Sequence, residues 1–341
     1  MDSPVQKAYI GGFFELELPV GPSLPHNRAR GTLASGRACL ATIMRELQPT
    51  KVWVPFYICD SVLHALALAD VSYEFYGLTE ELELSTLPEL AEREYLLYVN
   101  YFGLKSDYAT VLFERYHHQL LLDLTQAFFE EPNAGQWAFN SARKFFGVPD
   151  GAYLYTPEGT SLIEFPENKE ISLEHLVCRQ LGQQGAAYNA YNQYEAQLSY
   201  APASMSAVTR SWLSWLDYTM IARKRQDNFK QYHELLQPLF DEFDGIAREW
   251  LPLPHGAVPF CYPLRLALPL PNRQYLFEQQ IFLPWLWPEM RHRFGDFPLE
   301  KSFVDGVLIL PLDHRYGLDE VKLVIQAVSK MVKLQFDGNN C

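Results

Sequence analysis

Residues 119–155, QLLLDLTQAFFEEPNAGQWAFNSARKFFGVPDGAYLY, carry the strongest structural signal in the chain. The apolar run that ends in Asp123 predicts a buried strand over 119–124, and Ala152–Tyr155 predicts a return strand. Between the two strands we expect a hairpin, followed by Lys144 and a glycine turn. The order is therefore strand, acid, hairpin, lysine, turn and strand.

Short β-rich runs alternate with helical patterns on the N-terminal side of this segment. The patterns predict strands over 51–55, 71–76 and 95–101, and helices over 61–69 and 109–118. Ser35 precedes an amphipathic pattern and is predicted to cap the start of a helix. This alternation is typical of an α/β domain with a doubly wound, mainly parallel sheet.

The C-terminal part of the chain has a different pattern. A long charged helix is predicted over 206–239, followed by short apolar runs at 260–266 and 307–312 and a helix over 318–333. A chain of 341 residues exceeds the size at which a single core usually stops growing. We therefore predict a large domain over 1–230, which includes an N-terminal extension, and a small α+β domain over 231–341.

Composition argues against several classes of partner. The 41 acidic and 28 basic residues give a formal charge of -13, which disfavours nucleic-acid binding. The sequence contains no run of about 18 apolar residues, so no membrane span is predicted. The five cysteines contain no CxxC pair, and the pair His117-His118 lacks a third ligand, so we expect no disulfide framework and no metal site. The N-terminal residues lack a secretory pattern, which favours a soluble cytoplasmic protein.

Asp123 stands at the carboxyl end of its strand, where open α/β sheets bind ligands. A carboxylate in this position can keep the pyridine nitrogen of pyridoxal 5'-phosphate (PLP) protonated, so that the ring accepts electrons. The alternative is an aspartate that caps the following turn.

Lys144 is flanked by Arg143 on one side and by Phe145 and Phe146 on the other. A cationic neighbour and apolar surroundings both lower the pKa of a lysine and favour the nucleophilic free amine. The alternative is an ordinary surface lysine on a loop.

The order of these features resembles that of the DegT/StrS family of nucleotide-sugar aminotransferases, which have the aspartate-aminotransferase fold. The resemblance covers most of residues 30–335. Its motifs are Ser35-Gly36-Arg37, Val54–Cys59, Tyr98–Gly103, Asp123–Ala127 and Leu310-Pro311-Leu312. It implies a PLP-dependent transferase of fold type I, with a large α/β domain and a smaller C-terminal α+β domain.

The resemblance also implies roles for single residues in holding PLP. Lys144 would form the Schiff base, Asp123 would pair with the pyridine nitrogen, and Gln126 would contact the side of the ring hydroxyl. The phosphate would lie on the backbone N–H groups of Gly36 and Arg37. The remaining expected cofactor-binding residues are Ser35, Tyr57, Cys59 and Ser141.

Three of these positions differ from the family pattern. Arg37 replaces a threonine, and its side chain can itself pair with the phosphate. Cys59 replaces the aromatic residue that stacks on the ring, which leaves stacking to Tyr57, to another aromatic residue or to none. Ser141 lies three residues before Lys144 where the family has five.

The activity that the resemblance implies is transamination of a keto-sugar nucleotide, with an amino acid as donor, in polysaccharide or amino-sugar biosynthesis. The family also implies a homodimer. Two alternatives remain: a PLP-dependent sugar dehydratase, or a non-catalytic nucleotide-sugar-binding protein of the same fold. Asn228 either reaches the site of the partner subunit or lies on a solvated helix face, and Arg315 is either a substrate contact or part of a domain turn.

Overall fold

A computed structural model describes residues 16–19, 21–22, 25–26, 28–245, 247–267 and 273–339, with side chains of the last helix described through residue 334. Most of the predicted N-terminal extension therefore lies outside the described residues.

The large sheet contains seven strands among the described residues. They are β1 (Gly31–Leu33), β2 (Lys51–Pro55), β3 (Ser72–Tyr76), β4 (Glu94–Val99), β5 (Leu120–Leu124), β6 (Trp137–Asn140) and β7 (Ala152–Tyr155). Their order is β1-β7-β6-β5-β4-β2-β3. Every pair from β3 to β6 is parallel, whereas β7 pairs antiparallel with both β6 and β1. The prediction of an α/β fold with a mainly parallel sheet is confirmed.

The connection between β5 and β6 differs from the predicted hairpin. The two strands pair in parallel, with Asp123 opposite Phe139 and Leu124 opposite Asn140. Residues 125–136 lead from one strand to the next without a helix or strand of their own. The hairpin prediction is wrong because turn residues in this segment support a short reversal as well as a longer crossing, and only pairing decides between them.

Helices α1 (Gly36–Leu47), α2 (Asp60–Leu68) and α3 (Ser106–Tyr116) follow β1, β2 and β4. The Ser35 side chain accepts a hydrogen bond from the backbone N–H of Ala38 at 3.1 Å, as its capping role predicts. This cap fixes the start of α1 and confirms the predicted helix start.

The structure has two helices where a single helix over 206–239 was predicted: Ala207–Ser214 and Tyr218–Glu242. The C-terminal helices are α4 (Glu174–Gln180), α5 (Gln184–Gln197), α6 (Ala207–Ser214), α7 (Tyr218–Glu242), α8 (Gln274–Glu278), α9 (Pro298–Gly306) and α10 (Leu318–Asn339). The break before α7 places Asp217 as its cap, and the Asp217 carboxylate accepts from the N–H of Met220 at 2.9 Å.

A second, antiparallel sheet lies C-terminal to α7. It consists of β8 (Ala247–Glu249), β9 (Cys261–Leu266) and β10 (Val307–Pro311), in the order β10-β9-β8. The predicted domain boundary after residue 230 falls inside α7. The two-domain division stays a prediction, with α7 as the element that runs from one sheet to the other.

Arg293 connects the C-terminal part of the chain to the end of β2. Its guanidinium donates to the backbone oxygens of Phe56 and Ile58 and forms an ion pair with Asp60. Its side chain is only 8% exposed, so these bonds lie largely out of water. They hold the chain segment around residue 293 against the carboxyl edge of the large sheet.

Candidate active site

A cavity of about 270 Å³ lies at the carboxyl ends of the central parallel strands, beside the start of α1. Seven of the nine site residues expected from sequence line it: Ser35, Gly36, Arg37, Cys59, Asp123, Ser141 and Lys144. We call it the Lys144 cavity. Its position is the one in which open α/β sheets bind ligands.

The Asp123 carboxylate lies on the wall of this cavity and is 5% exposed. Its Oδ1 accepts from the backbone N–H of Thr125 at 2.7 Å. The expected turn cap is thus present, and it coexists with the position in the cavity. Burial raises the pKa of Asp123, and the positive charge of Lys144 acts in the opposite direction. A cationic group near this carboxylate would favour its ionised form.

Lys144 is the last residue of a short 3-10 turn over Ala142–Lys144. Its Nζ donates to Thr125 Oγ1 at 3.0 Å, so one threonine contacts both Asp123 and the lysine. The expectation that neighbouring phenylalanines surround the amine is wrong: Lys144 is exposed, whereas Phe145 and Phe146 are buried and pack against Phe128. The aromatic rings anchor the turn and leave the amine open to the cavity.

Backbone hydrogen bonds connect the lysine turn to the start of α1. The Ala34 oxygen accepts from the N–H of Gly151 at 2.7 Å, and the Gly151 oxygen accepts from the N–H of Ala142 at 2.9 Å. Gly151 has a φ of +111°, and an added Cβ would lie 2.8 Å from the Thr209 side chain. Residue 151 must therefore be glycine. Through its two hydrogen bonds, Gly151 fixes the turn that carries Lys144 relative to the start of α1.

The start of α1 presents backbone donors at the cavity. The N–H of Ala38 is taken by Ser35 Oγ, whereas the first N–H groups of a helix, those of Gly36 and Arg37, have no partner within it. A Cβ on Gly36 would lie 3.2 Å from Thr125 Cγ2, so glycine permits close approach of the helix to Thr125. A helix N-terminus of this kind favours an anion such as a phosphate.

Glu195 of α5 lies between two arginines on the cavity wall. Its carboxylate forms ion pairs with Arg37 at 3.2 Å and with Arg143 at 2.7 Å. Within the chain Arg37 pairs with this carboxylate, and its pairing with a phosphate stays a prediction. Two guanidinium groups around one carboxylate also show that this part of the wall accommodates an anion.

We expect Glu195→Gln to tighten binding of PLP to the apoprotein several-fold. The change removes a carboxylate that would compete with the phosphate of PLP for Arg37 and Arg143, while it keeps the side-chain shape. A spectroscopic titration with PLP measures the effect. The matched control is Glu167→Gln, since Glu167 pairs with Arg210 at 2.7 Å away from the cavity lining. Equal affinities in the two variants would contradict the competition.

Gln126 and Tyr57 lie outside the Lys144 cavity, in contrast to their expected cofactor contacts. Gln126 is fully buried, and its Oε1 accepts from the N–H of Phe102 at 2.8 Å. Tyr57 is also buried and packs edge-on against Trp287, with 4.5 Å between ring centroids. Each residue lies two positions beyond the end of its strand, Tyr57 after β2 and Gln126 after β5, and both side chains are packed in the core.

The wall also contains residues that the sequence did not predict as part of the site, among them Thr125, Tyr191, Glu195 and Trp287. Thr125 lies inside the motif Asp123–Ala127, so its place in the site could have been predicted from the sequence. Trp287 has a φ of +53°, which is an outlier for a bulky residue, and it places an aromatic ring on the wall where Cys59 does not. The sequence around Trp287 and Glu195 contains no local signal for either position.

A larger cavity of about 860 Å³ adjoins the Lys144 cavity and shares Arg143, Lys144 and Tyr191 with it. The charged residues of its lining are Arg143, Lys144, Arg179, Arg225, Arg315 and Asp313. We call it the cationic cavity, because five cations face one carboxylate in a chain of net charge -13.

Two histidines on the wall of the cationic cavity do not add to its charge at neutral pH. Burial lowers the pKa of both His175 and His314, and nearby arginines act in the same direction. Their Nδ1 atoms are buried without a hydrogen-bond partner in the described part of the chain. Buried polar atoms are normally paired, so a polar ligand would find partners here.

Asn228 and Arg315 both contact the turn that follows β10. The Asn228 amide is fully buried and donates to the backbone oxygens of Leu312, Asp313 and Tyr316 at 3.2–3.3 Å, so neither interpretation from sequence describes its contacts within this chain. Arg315 pairs with Asp313 at 2.6 Å and also lines the cationic cavity, which leaves both of its interpretations open.

None of the helices in the described ranges is long and apolar enough to cross a membrane. Over the same ranges, no three histidine, cysteine, aspartate or glutamate side chains are grouped so that they could hold a metal ion.

The chain matches no known protein-family profile and no curated protein sequence. It is similar to solved structures. The aminotransferase TlmJ from Streptoalloteichus hindustanus has a TM-score of 0.64 at 15% identity, over 90% of this chain and 86% of TlmJ. A DegT DnrJ EryC1 StrS aminotransferase from Brucella abortus has a TM-score of 0.58 at 15% identity, over 87% of this chain and 85% of that protein.

A third similar structure is Spr1654 from Streptococcus pneumoniae, assigned as a sugar aminotransferase and solved in its PLP form. Its TM-score is 0.59 at 13% identity, over 89% of this chain and 86% of Spr1654. The likeness to the three structures covers 87–90% of this chain and 85–86% of each of those proteins. The chain therefore has the fold of these aminotransferases, as its sequence motifs predict.

Proposed function

We propose that the chain is a PLP-dependent aminotransferase of the DegT/StrS family, with a keto-sugar nucleotide as acceptor and an amino acid as donor. One observation carries this proposal: Thr125 connects the buried carboxylate of Asp123 to the amine of Lys144 on the wall of one cavity, beside the start of α1. A carboxylate, an amine and a helix N-terminus in one cavity are the groups that PLP requires.

The residues of the Lys144 cavity fit the three functional parts of PLP. Asp123 suits the pyridine nitrogen, the Lys144 amine suits the aldehyde, and the backbone donors of Gly36 and Arg37 suit the phosphate. The volume of about 270 Å³ is slightly below the roughly 300–1,000 Å³ typical of ligand pockets. The Trp287 ring adds an apolar wall, which supports binding of a flat ring.

When bound, PLP supplies an electron sink for the carbon that carries the reacting amino group. Asp123 sustains this property by holding a proton at the pyridine nitrogen. Burial raises the pKa of Asp123 although the charge of Lys144 acts in the opposite direction, so an adjacent pyridinium would supply further positive charge that favours the ionised carboxylate. Asp123 is thus proposed to act by charge, whereas Thr125 fixes its orientation through the 2.7 Å bond.

Lys144 is proposed to act twice. Its amine would hold the cofactor covalently, and the free amine would take the proton from the α-carbon of the amino donor. Thr125 Oγ1 holds Nζ at 3.0 Å, and the buried rings of Phe145 and Phe146 fix the backbone from which the lysine extends. The amine is exposed to the cavity, so a donor can reach it.

The cationic cavity supports an anionic acceptor. It adjoins the Lys144 cavity and is lined by five cations, two of which pair with carboxylates: Arg143 with Glu195 and Arg315 with Asp313. In a chain with a net charge of -13, such a concentration of arginines is the feature that attracts a phosphorylated substrate. A keto-sugar attached to a diphosphate would place the sugar at Lys144 and the phosphates among the arginines.

Other parts of the proposal rest on the resemblance and on the charge and composition of the chain. These are a homodimer, a cytoplasmic location, and a role in polysaccharide or amino-sugar biosynthesis without a nucleic-acid or membrane partner. The division into a PLP-binding domain over 1–230 and a small domain over 231–341 belongs to the same proposal.

Cofactor capture tests the assignment of Lys144. The purified protein with added PLP is expected to show visible absorption that borohydride abolishes, and peptide mass analysis is expected to find the reduced adduct on Lys144. The exposed Lys169 is the internal control, because it lies outside the cavity and should stay unlabelled. An adduct on another lysine, or no binding of PLP, would show that the site is wrong.

The half-reaction tests transamination in the same preparation. Glutamate, glutamine, aspartate or alanine should bleach the visible absorption, and a keto-sugar nucleotide should restore it. A dehydratase would yield a sugar that lacks a hydroxyl group and has gained no amino group. A protein that binds PLP on Lys144 but is inert to every donor would overturn the proposed aminotransferase activity and leave the fold unaffected.

A further inference from the structure

Helices α4 and α5 form a hairpin, residues 174–197, which borders both cavities that contain Lys144. A turn at Gly182, with a φ of +75°, joins the two helices. Helix α4 contributes His175 to the wall of the cationic cavity, and α5 contributes Glu195 to the wall of the Lys144 cavity. We call this segment the α4–α5 hairpin. A change in its position would alter access to the lysine from both cavities.

The α4–α5 hairpin buries little apolar surface against the rest of the chain. Its two helices pack against each other more extensively than either packs against any other helix or strand. Three of the fourteen residues of α5 are buried: Ala187, Ala190 and Tyr194. Two of the three are alanines, whose side chains remove only a small apolar area from water. The hydrophobic effect therefore does little to hold α5 in place.

The connections before α4 and after α5 meet at the base of the hairpin. The N–H of Ser204 donates to the backbone oxygen of Pro166 at 2.8 Å, and the N–H of Asn168 donates to the Ser204 oxygen at 2.8 Å. Between this base and the two helices, residues 169–173 and 198–203 form no helix or strand. A fixed base followed by irregular segments is the geometry of a hinge, in which a few backbone angles absorb a rotation.

Polar contacts attach α5 to the wall of the Lys144 cavity. The Glu195 carboxylate pairs with Arg37 at 3.2 Å and with Arg143 at 2.7 Å. The Tyr194 hydroxyl donates to the backbone oxygen of Pro149 at 3.1 Å. Two of these three contacts depend on a single carboxylate, and phosphate is a stronger partner for two guanidinium groups than a carboxylate is, because it has more charge and more acceptor oxygens.

We propose that the α4–α5 hairpin is a lid, that Glu195 latches it to Arg37 and Arg143, and that a phosphate group releases it by taking both arginines. The latched state places a carboxylate of the chain itself in the anion site, so the lid is autoinhibitory. The latch requires only an anion, whereas the identification of that anion with the phosphate of PLP rests on the proposed function. Entry of the phosphate and opening of the lid would then be one event.

Hydrogen–deuterium exchange of the full chain, measured by mass spectrometry on peptides from α5, tests the latch. Inorganic phosphate is expected to accelerate exchange in α5 about tenfold, the effect of losing one hydrogen bond to a charged group. Sodium chloride at the same ionic strength should have a much smaller effect, because general screening does not fill the site. A ligand that binds the folded state normally slows exchange, so acceleration is specific to a latch.

Two variants of neighbouring residues in α5 separate the latch from ordinary loosening of a helix. Glu195→Gln should accelerate exchange in α5 about tenfold without phosphate and should abolish the response to phosphate. Tyr194→Phe is the matched control, because it removes the attachment to Pro149 for which no anion competes. It should also accelerate exchange but should keep the response to phosphate.

The proposal is overturned if phosphate leaves exchange in wild-type α5 unchanged or slows it, if chloride acts as strongly as phosphate, or if Glu195→Gln still responds. PLP should release the lid as phosphate does, whereas pyridoxal, which lacks the phosphate, should not; an equal response to pyridoxal would also overturn it. Capture of PLP on Lys144, measured in the same samples, separates the two claims. Capture without faster exchange in α5 overturns only the latch, and faster exchange without capture overturns only the cofactor assignment.

Discussion

The variant Lys144→Ala is expected to lose covalent binding of PLP and to react with an amino donor about 10³- to 10⁴-fold more slowly than the wild type. Loss of an acid-base group usually slows a reaction about 10²- to 10⁴-fold. We expect the upper part of that range because Lys144 supplies both the covalent link and the proton carrier. Stopped-flow absorbance with glutamate measures the rate. The variant should still bind PLP without a covalent bond, because the contacts of Asp123 and of the α1 start remain.

Lys169→Ala is the control for the loss of one lysine, since Lys169 is exposed and lies outside the cavity lining. It is expected to retain the wild-type rate. An added primary amine should restore part of the activity of the Lys144→Ala variant, because a free amine can enter an open cavity and take the proton. A rate within tenfold of the wild type in Lys144→Ala would remove Lys144 from the mechanism.

The variant Asp123→Asn is expected to retain covalent binding on Lys144 and to lower the rate with glutamate by about 10²- to 10³-fold, the usual loss when one preorganised electrostatic contact is removed. The asparagine side-chain oxygen can still accept from the Thr125 N–H, so the local turn is preserved. Because burial disfavours the charged carboxylate of Asp123, the melting temperature of the apoprotein should be unchanged or higher.

Asp150→Asn is the control, because we expect it to lower the melting temperature instead of the rate with glutamate. Asp150 is a buried carboxylate outside the Lys144 cavity, and its oxygens accept from the backbone N–H and the hydroxyl of Ser206 at 2.9 and 2.7 Å. Its replacement should lower the melting temperature, because a buried network loses an acceptor that takes two donors at once. A wild-type rate in Asp123→Asn, or a melting loss as large as that of Asp150→Asn, would show that Asp123 is structural.

Local sequence patterns predicted the elements that position the site. The bounds of β2 and β7 agree with the predicted strands, and Ser35 caps α1 as expected. These elements depend on near neighbours, namely on apolar runs and on a side-chain oxygen three residues from its donor. For the same reason, Asp123 and Lys144 could be predicted as site residues from the local sequence.

The errors come from long-range pairing. Nothing within residues 125–140 shows that β6 lies parallel to β5, since a short turn and a crossing share the same turn residues. The exposure of Lys144 depends on where Phe145 and Phe146 point, and their partner Phe128 comes from another loop. Glu195 and Trp287 join the cavity from 51 and 143 residues beyond Lys144 (195 and 287 minus 144). Sequence spacing gives no means to place them.

The place of Trp287 on the cavity wall also sets an order of events during protein synthesis. The chain emerges from the ribosome N-terminal end first, so Asp123, Lys144 and the start of α1 are complete long before residue 287 is translated. At about 5–20 residues per second, the 143 residues that separate Lys144 from Trp287 require roughly 7 to 30 s. During that interval the nascent chain exposes a lysine amine beside an unfinished wall. We therefore expect the proposed PLP cofactor to load stably only after residue 287 has been translated.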